Sequence, residues 1–169
     1  MVQHTQPTLE QRPAQHYAGI RTSVRVQRLP RVIPQLFDEI ADWLRQREIK
    51  PLDVRFIRYH AIEFSGVMDV TIGWLVDDPV SGEGDVTGGA IPAGQYTSLI
   101  YTDASRSIEG NHALLDWANE QDIDWDTWET AAGHGFRSRV EFFLDGPQDD
   151  PDPANWRVEV AIKVAGDDV

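Results

Sequence analysis

The residue best suited to take part in binding or catalysis is Glu141. It is an acid in the middle of a strand-like segment, residues 136–145. Alternation at period two gives this segment one apolar face and one face that carries the acid. The two sets are Val140, Phe142 and Leu144 on the first face, and Arg137, Arg139, Glu141 and Phe143 on the second. A carboxylate at mid-strand, far from the turns on either side, requires an explanation.

Three explanations of Glu141 are open at this point. The strand face that carries it could be exposed to water, where charged residues are ordinary. It could pair with Arg137 or Arg139, and Arg58 is a further candidate partner. The third explanation is a half-buried carboxylate that meets a cationic or polar ligand, or that activates water as a general base.

Aromatic residues are the second group with binding potential. Tyr59 and Tyr96 each combine an apolar ring with a hydroxyl that can orient a ligand, and Tyr17 has the same potential. Trp125 and Trp128 precede the Glu141 segment and could stack on a flat ligand or contact a cation. The alternative is structural in each case: tyrosines that cap a sheet, and tryptophans that close the end of a core.

Motifs for metal, phosphate or nucleophilic chemistry are absent from the sequence. The chain has no cysteine, and its five histidines lack metal-ligand spacing. The run Asp122-x-Asp124-x-Asp126 resembles the start of a calcium loop, but Thr127 and Gly133 stand where glycine and glutamate are required. We expect a solvated loop there, no metal and no cofactor.

Composition limits the classes of partner. The 169 residues carry a formal charge of −13, which disfavours direct binding to nucleic acid. No apolar run approaches the roughly 20 residues of a membrane span, and no signal-peptide pattern is present. We therefore expect a cytoplasmic protein without a membrane partner.

The order of predicted elements is strand–helix–strand–strand, twice. The first unit comprises a strand over 17–26, a helix from Pro30 to before Pro51, and strands over 54–62 and 69–76. The second unit comprises strand-like residues 86–101, broken by Pro92-Ala93-Gly94, a helix over 108–121, and strands over 136–145 and 156–164. Residues 122–135 and the acidic run 147–153 are predicted loops.

This repetition predicts an α+β fold of two units in a pseudo-two-fold arrangement. We expect an antiparallel sheet with both helices on one face and a ligand cleft on the other. Residues 1–14 are a flexible leader or short edge segment, 15–164 one domain with half-units of about 15–80 and 85–164, and 165–169 a tail. Strand parity predicts the cleft-facing set as Tyr17, Arg21, Tyr59, Gly73, Tyr96, Glu141 and Phe143.

Several segments carry a resemblance that spans nearly the whole chain. They are Tyr17-Ala18-Gly19-Ile20-Arg21, Phe56-Ile57-Arg58-Tyr59-His60, Asp69-Val70-Thr71-Ile72-Gly73, Ile91-Pro92-Ala93-Gly94-Gln95-Tyr96, Leu114-Leu115-Asp116-Trp117-Ala118 and Val140-Glu141-Phe142-Phe143-Leu144-Asp145. In this order they resemble the GyrI-like small-molecule-binding family, also called the bacterial transcription-activator effector-binding domain. The resemblance implies two strand–helix–strand–strand units around a ligand cleft. It also implies that Glu141 meets the positive charge or polar head of the ligand.

The resemblance suggests three functions. Many members are sensor domains of transcription factors that respond to lipophilic cations, although this chain shows no helix-turn-helix. Others resemble hydrolases that open cyclopropane rings, and one inhibits DNA gyrase. We expect a stand-alone domain that binds an amphipathic small molecule as a sensor, sequestering or protective protein. The alternatives are a hydrolase that uses Glu141 and a module that binds a protein partner.

Overall fold

The computed structural model describes residues 2–166. Ten strands and two α-helices follow one another along the chain. They are β1 (Thr8–Arg12), β2 (Gln15–Arg25), α1 (Leu29–Gln46), β3 (Arg55–Glu63), β4 (Val67–Leu75), β5 (Thr87–Ile91), β6 (Gly94–Thr102), α2 (Ser107–Glu120), β7 (Thr127–Glu129), β8 (Gly133–Phe136), β9 (Arg139–Phe143) and β10 (Arg157–Lys163).

The strands form one antiparallel sheet in the order β1-β6-β10-β9-β3-β4-β2-β5, and β8 pairs with β3 and β7 beside this path. One unit is β2-α1-β3-β4 and the other is β6-α2-β9-β10. Strands β3 and β9 join them, in a register that runs from Arg55 opposite Phe143 to Arg58 opposite Val140. The predicted α+β class and the repeated strand–helix–strand–strand order are therefore confirmed.

The first residues belong to the sheet. Strand β1 pairs along its whole length with β6, His4 bridges to Tyr101, and Val2 is buried. Residues 8–12 thus form a short edge strand, which was one of the two predictions for the start of the chain. Met1, at the start of the predicted leader, and residues 167–169 of the predicted tail lie outside the described residues.

The segment before β9 differs from its prediction. Residues 122–135 were expected to be a loop, yet they contain β7 and most of β8. The predicted strand over 136–145 is shorter, because Phe136 ends β8 and Arg139 begins β9. The break occurs where the amide of Arg137 turns away to donate to the carbonyl oxygen of Asp126 at 3.0 Å.

Both helices cover the same face of the sheet, as predicted, and this is the face that carries Glu141. The register aligns Glu141 with Ile57 and Val160, Ile57 with Ile72, and Val160 with Leu99. Helix α1 packs on one end of this face and α2 on the other, through apolar residues that include Phe37, Ile40, Leu44 and Leu114. The expectation that Glu141 faces a cleft on the side of the sheet away from the helices is therefore wrong. Glu141 lies in the groove between the two helices.

The opposite face is also a core. It buries Tyr17, Phe56, Leu75, Ile91, Tyr96, Val140, Phe142 and Ala161. In a curled sheet that is buried on both faces, apolar residues occur at both the odd and the even positions along each strand. Alternation along one strand therefore does not reveal which face the helices cover.

Helix α2 is held close to strand β6. Gly110 lies on the aromatic ring of Tyr101, and a Cβ at this position would collide with that ring. The entry to α2 is constrained as well, because Asp103 has a φ of 89° and its side chain accepts from the amide of Ser105 at 3.0 Å. No helix within residues 2–166 is both long and apolar enough to span a membrane.

The contact between Gly110 and Tyr101 makes a prediction about stability. Gly110→Ala should lower the free energy of unfolding by about 1–2 kcal/mol, because overpacking costs about 1–3 kcal/mol while the gain in helix propensity is about 0.5–1 kcal/mol. Urea unfolding measures this difference. The exposed residue Asn119 in the same helix supplies the control, since Asn119→Ala should change stability by at most about 0.5 kcal/mol. A Gly110→Ala variant at least as stable as the wild type would contradict the close packing.

Candidate functional site

Glu141 is a buried carboxylate at the centre of the sheet. Its residue is 4% exposed, between Ile57 of β3 and Val160 of β10. Tyr59 donates its hydroxyl hydrogen to Oε1 at 2.5 Å, and Tyr101 donates to Oε2. The Ser107 hydroxyl lies 3.4 Å from Oε1. Both carboxylate oxygens therefore accept a phenolic hydrogen, which offsets part of the cost of removing a charge from water.

The two tyrosines remain protonated donors at neutral pH. Burial, followed by the negative charge of Glu141, raises the pKa of Tyr59 well above its usual value of 10.0. The same two causes, in the same order, raise the pKa of Tyr101. Proton transfer from either phenol to the carboxylate is thus disfavoured, and both phenols keep the hydrogens that they donate to Glu141.

The alternatives considered for Glu141 can now be compared with its surroundings. Its burial excludes a strand face open to water. Within residues 2–166, no arginine or lysine forms a salt bridge with it. The nearest candidate, Arg139, instead donates to Asn111 Oδ1 at 2.8 Å and lies over the ring of Phe136.

Arg139 nevertheless influences the electrostatics of the site. Burial lowers the pKa of its guanidinium, and the negative charge of Glu141 opposes this effect. It is therefore a partly desolvated cation at the rim of the site, whereas the carboxylate lies at the floor.

A pocket of about 190 Å³ opens onto Glu141 from the groove between the helices. The sheet supplies its floor and one wall, and the first two turns of α2 supply the other wall. Its lining is largely apolar around a few polar groups, and consists of Tyr59, Ile62, Met68, Ser107, Ile108, Asn111, His112, Leu115, Arg139 and Glu141. Ile108 is 74% exposed at the mouth, which leaves a large apolar side chain facing solvent beside the opening.

The groove is closed at its other end by aromatic packing. Phe143 contacts Phe37 of α1, with ring centroids 5.9 Å apart, and the Arg55 guanidinium lies 5.6 Å from the Phe143 centroid. Phe143 thus shares the face of Glu141, as predicted, but packs against α1 and does not line the pocket. The accessible side of the carboxylate faces α2.

Two of the predicted cleft tyrosines lie on the opposite face. Tyr17 packs on Phe56 with ring centroids 4.9 Å apart, and Tyr96 donates its hydroxyl hydrogen to the carbonyl oxygen of Pro92 at 2.6 Å. Both belong to the core on that side, and Arg21 and Gly73 share their face by register. The structure therefore brings Tyr59 and Glu141 together and separates both from Tyr17 and Tyr96.

The two predicted tryptophans are also away from this pocket. Trp125 is half-buried against the core beneath α2, and its main chain bridges to Val164. Trp128 is 46% exposed beside Gly135 and lies next to a different pocket, which contains Arg58 and Arg137.

Sequence reasoning missed the second phenol donor, Tyr101, and the α2 wall with Ser107 and Asn111. Tyr96 and Tyr101 have opposite parity on β6, so the choice of Tyr96 as a cleft residue excluded Tyr101. The helix pattern contained a usable signal, because Ser107, Asn111 and Leu115 recur every four residues and so share one face of α2.

The arrangement can hold a positive or polar group against a buried carboxylate. Alternatively, the carboxylate can act as a general base for the attack of water on a bound electrophile. Within residues 2–166, no three His, Asp or Glu side chains converge on a point where a metal ion would bind. The groups that this pocket presents are its carboxylate, the phenols bonded to it, an arginine and an apolar wall.

A curled antiparallel sheet with two helices and a buried acid in the groove between them defines a class of ligand-binding domain. The chain matches the GyrI-like small molecule binding domain over residues 5–165 and belongs to this family. None of the curated proteins compared with the chain matches it.

Several solved structures share the fold. The EcmrR C-terminal domain has a TM-score of 0.72 and 21% identity, over 96% of this chain and 98% of that one. The chain spans 58% of the length of EcmrR as solved in its complex with DNA. SAV2435 bound to tetraphenylphosphonium has a TM-score of 0.61 and 14% identity, over 96% and 95% of the two chains. A hydrolase from Listeria innocua has a TM-score of 0.62 and 10% identity, over 94% and 91%.

The paired phenols make a prediction about coupling. Tyr101→Phe leaves one oxygen of a buried carboxylate without its donor, so it should lower the free energy of unfolding by about 1–3 kcal/mol. In a Glu141→Gln background the loss should be smaller, because a neutral amide costs less to bury. A double-mutant cycle by urea unfolding measures the difference. Strict additivity of the two substitutions would contradict the coupling.

Proposed function

We propose that the chain binds lipophilic cations, or aromatic molecules with a polar head, in the pocket above Glu141. The observation that carries this proposal is a buried carboxylate at the floor of a largely apolar pocket, held by Tyr59 and Tyr101 and by no salt bridge in residues 2–166. The chain would act as a sensor, sequestering or protective domain for such molecules.

Electrostatics favours a cationic head group. A unit positive charge about 4 Å from a carboxylate gains about 4 kcal/mol at the effective dielectric constant of a partly buried site. The two phenols already hold the carboxylate in place, so little reorganisation accompanies binding. Arg139 at the rim opposes this attraction, which favours ligands whose charge reaches the floor of the pocket.

The apolar lining would supply affinity, and the shape of the pocket would limit the size of the head group. A cavity of roughly 150 Å³ is known to accommodate a benzene ring, so 190 Å³ suits one substituted ring. A larger ligand would extend through the mouth onto Ile108, or would require α2 to move outward. SAV2435, which shares the fold, has been solved with a lipophilic cation of this larger kind.

The test is removal of the charge at Glu141. Glu141→Gln preserves the shape of the side chain, and an amide can still bond to both phenols because their hydroxyls rotate. It should weaken binding of benzyltrimethylammonium and of tetraphenylphosphonium by roughly 10- to 100-fold, measured by isothermal titration calorimetry. The affinity for benzyl alcohol, which is neutral, should differ little between the wild type and Glu141→Gln.

Glu120→Gln is the matched control, because Glu120 ends α2 in an exposed position away from the pocket. This variant should bind both cations as the wild type does. Equal affinity of the wild type and Glu141→Gln for both cations would exclude the proposal, as would equal losses in the two variants.

A second function, hydrolysis of a strained electrophile, is favoured by the position of the Glu141 carboxylate at the floor of a largely apolar pocket. Glu141 would accept a proton from water as the water oxygen bonds to a cyclopropane methylene. The ring carbon–carbon bond would break, its electron pair would pass to a conjugated carbonyl oxygen, and that oxygen would be protonated from solvent. Both oxygens of Glu141 already accept a phenolic hydrogen, and none of the hydrogen bonds in residues 2–166 marks a position for an attacking water, which is why binding is the leading proposal.

Turnover distinguishes the two functions. Incubation with an excess of a spirocyclopropyl dienone, followed by chromatography, should yield no more than one equivalent of ring-opened product if the chain only binds. Multiple turnover that falls by about a hundredfold or more in Glu141→Gln, and not in Glu120→Gln, would instead establish the hydrolase. The predicted binding to a protein partner has no supporting contact among the described residues and stays a prediction.

A further inference from the structure

A second pocket, of about 270 Å³, lies on the face of the sheet away from Glu141. It forms where β2, β3 and β4 run side by side near the β7–β8 hairpin. Arg58, Thr71 and Arg21 occupy cross-strand positions on this face, and His60 lies at a bulge that shifts the register between Tyr59 and Ala61. The pocket therefore shares strand β3 with the first one but opens in the opposite direction.

The lining of this pocket has more positive than negative charge, in a chain whose formal charge is −13. Three guanidinium groups, those of Arg21, Arg58 and Arg137, face a single carboxylate, Asp69. Arg21 forms a bidentate pair with Asp69, at 3.0 and 2.8 Å, which neutralises both groups. The excess charge thus belongs to the other two arginines.

Arg58 is held in place without being neutralised. Nη1 donates to the carbonyl oxygen of Ala90 at 3.2 Å and to the hydroxyl oxygen of Tyr17 at 3.4 Å, and Nη2 donates to the carbonyl oxygen of Arg137 at 3.0 Å. Its Nε is buried and has no hydrogen-bond partner within the described residues. No carboxylate in residues 2–166 forms a salt bridge with Arg58.

Arg137 is only weakly compensated. Its Nε lies 3.7 Å from Asp126, but that carboxylate accepts from the buried Lys163 at 2.8 Å. The Arg137 side chain is 58% exposed, and its guanidinium lies 5.7 Å from the ring centroid of Trp128. Arg137 therefore lies at the exposed edge of the pocket, with an aromatic face beside it.

His60 lies in the same pocket as these arginines. Burial, followed by the positive charges of Arg58 and Arg21, lowers its pKa from 6.5 to about 4. At neutral pH the imidazole is uncharged and bonds to the Thr71 hydroxyl at 2.7 Å. The arginines therefore lie close enough to influence a group inside the pocket.

We propose that this second pocket binds a small aromatic carboxylate, with the anion between Arg58 and Arg137 and its ring against Trp128. Guanidinium groups match the fork of a carboxylate, and a half-exposed indole beside them offers an apolar face for a planar ring. Half-buried Phe136 supplies a further apolar surface. A pocket of this volume suits a ligand of one or two fused rings.

The test uses 2-naphthoate as the probe and isothermal titration calorimetry as the measurement. The wild type should bind 2-naphthoate and should bind 2-naphthylmethanol at least about tenfold more weakly, because the alcohol lacks the charge. Arg137→Gln and Trp128→Ala should each weaken naphthoate binding by about fivefold or more. Arg31→Gln, which removes an exposed arginine from α1, should leave it unchanged.

Two comparisons keep this site distinct from the one above Glu141. Glu141→Gln should retain naphthoate binding, and Arg137→Gln should retain tetraphenylphosphonium binding, so either site can fail without the other. Circular dichroism of each variant establishes that it is folded. Trp128→Phe, which keeps an aromatic ring, should recover most of the affinity for 2-naphthoate that is lost in Trp128→Ala. The proposal is overturned if the wild type does not bind 2-naphthoate, if Arg137→Gln and Arg31→Gln bind it equally, or if Glu141→Gln abolishes binding.

Discussion

The antiparallel pairing of β3 with β9 joins the two units of the sheet, and both pockets depend on its register. This pairing sets Glu141 opposite Ile57, so that Tyr59, two residues further along β3, can reach the carboxylate. It also sets Arg58 opposite Val140, on the other face. A slip of one residue would exchange these faces and would bring an arginine, in place of a phenol, to the side that carries the acid.

A buried carboxylate without a salt-bridge partner is costly, and the surrounding structure limits that cost. Two phenols donate to it from strands of different units, Tyr59 from the first and Tyr101 from the second. Gly110 lets α2 lie directly on the ring of Tyr101. The position of the charge thus depends on contacts from both halves of the chain, and the open side of the carboxylate is the one that faces the pocket.

Much of the fold and part of the site could be predicted from the sequence. Helical periodicity and turn residues gave the repeated order of elements, and period two placed Glu141 and Tyr59 on a common face. The identity of that face could not be predicted, because the curled sheet buries apolar residues on both sides. Tyr101 was missed because the break at Pro92-Ala93-Gly94 hides the parity of β6 relative to its neighbours. The short strands β7 and β8 lie in a polar stretch without alternation.

The bulge in β3 lies between the two pockets. Tyr59 and His60 are consecutive residues, yet one lies at the floor of the Glu141 pocket and the other lines the pocket that contains Arg58. A bulge adds a residue to one strand and loosens its pairing at that point, so it is where β3 can adjust. The backbone of β3 is therefore a wall that both cavities share, and a change in the conformation of the bulge would alter the positions of Tyr59 and His60 together.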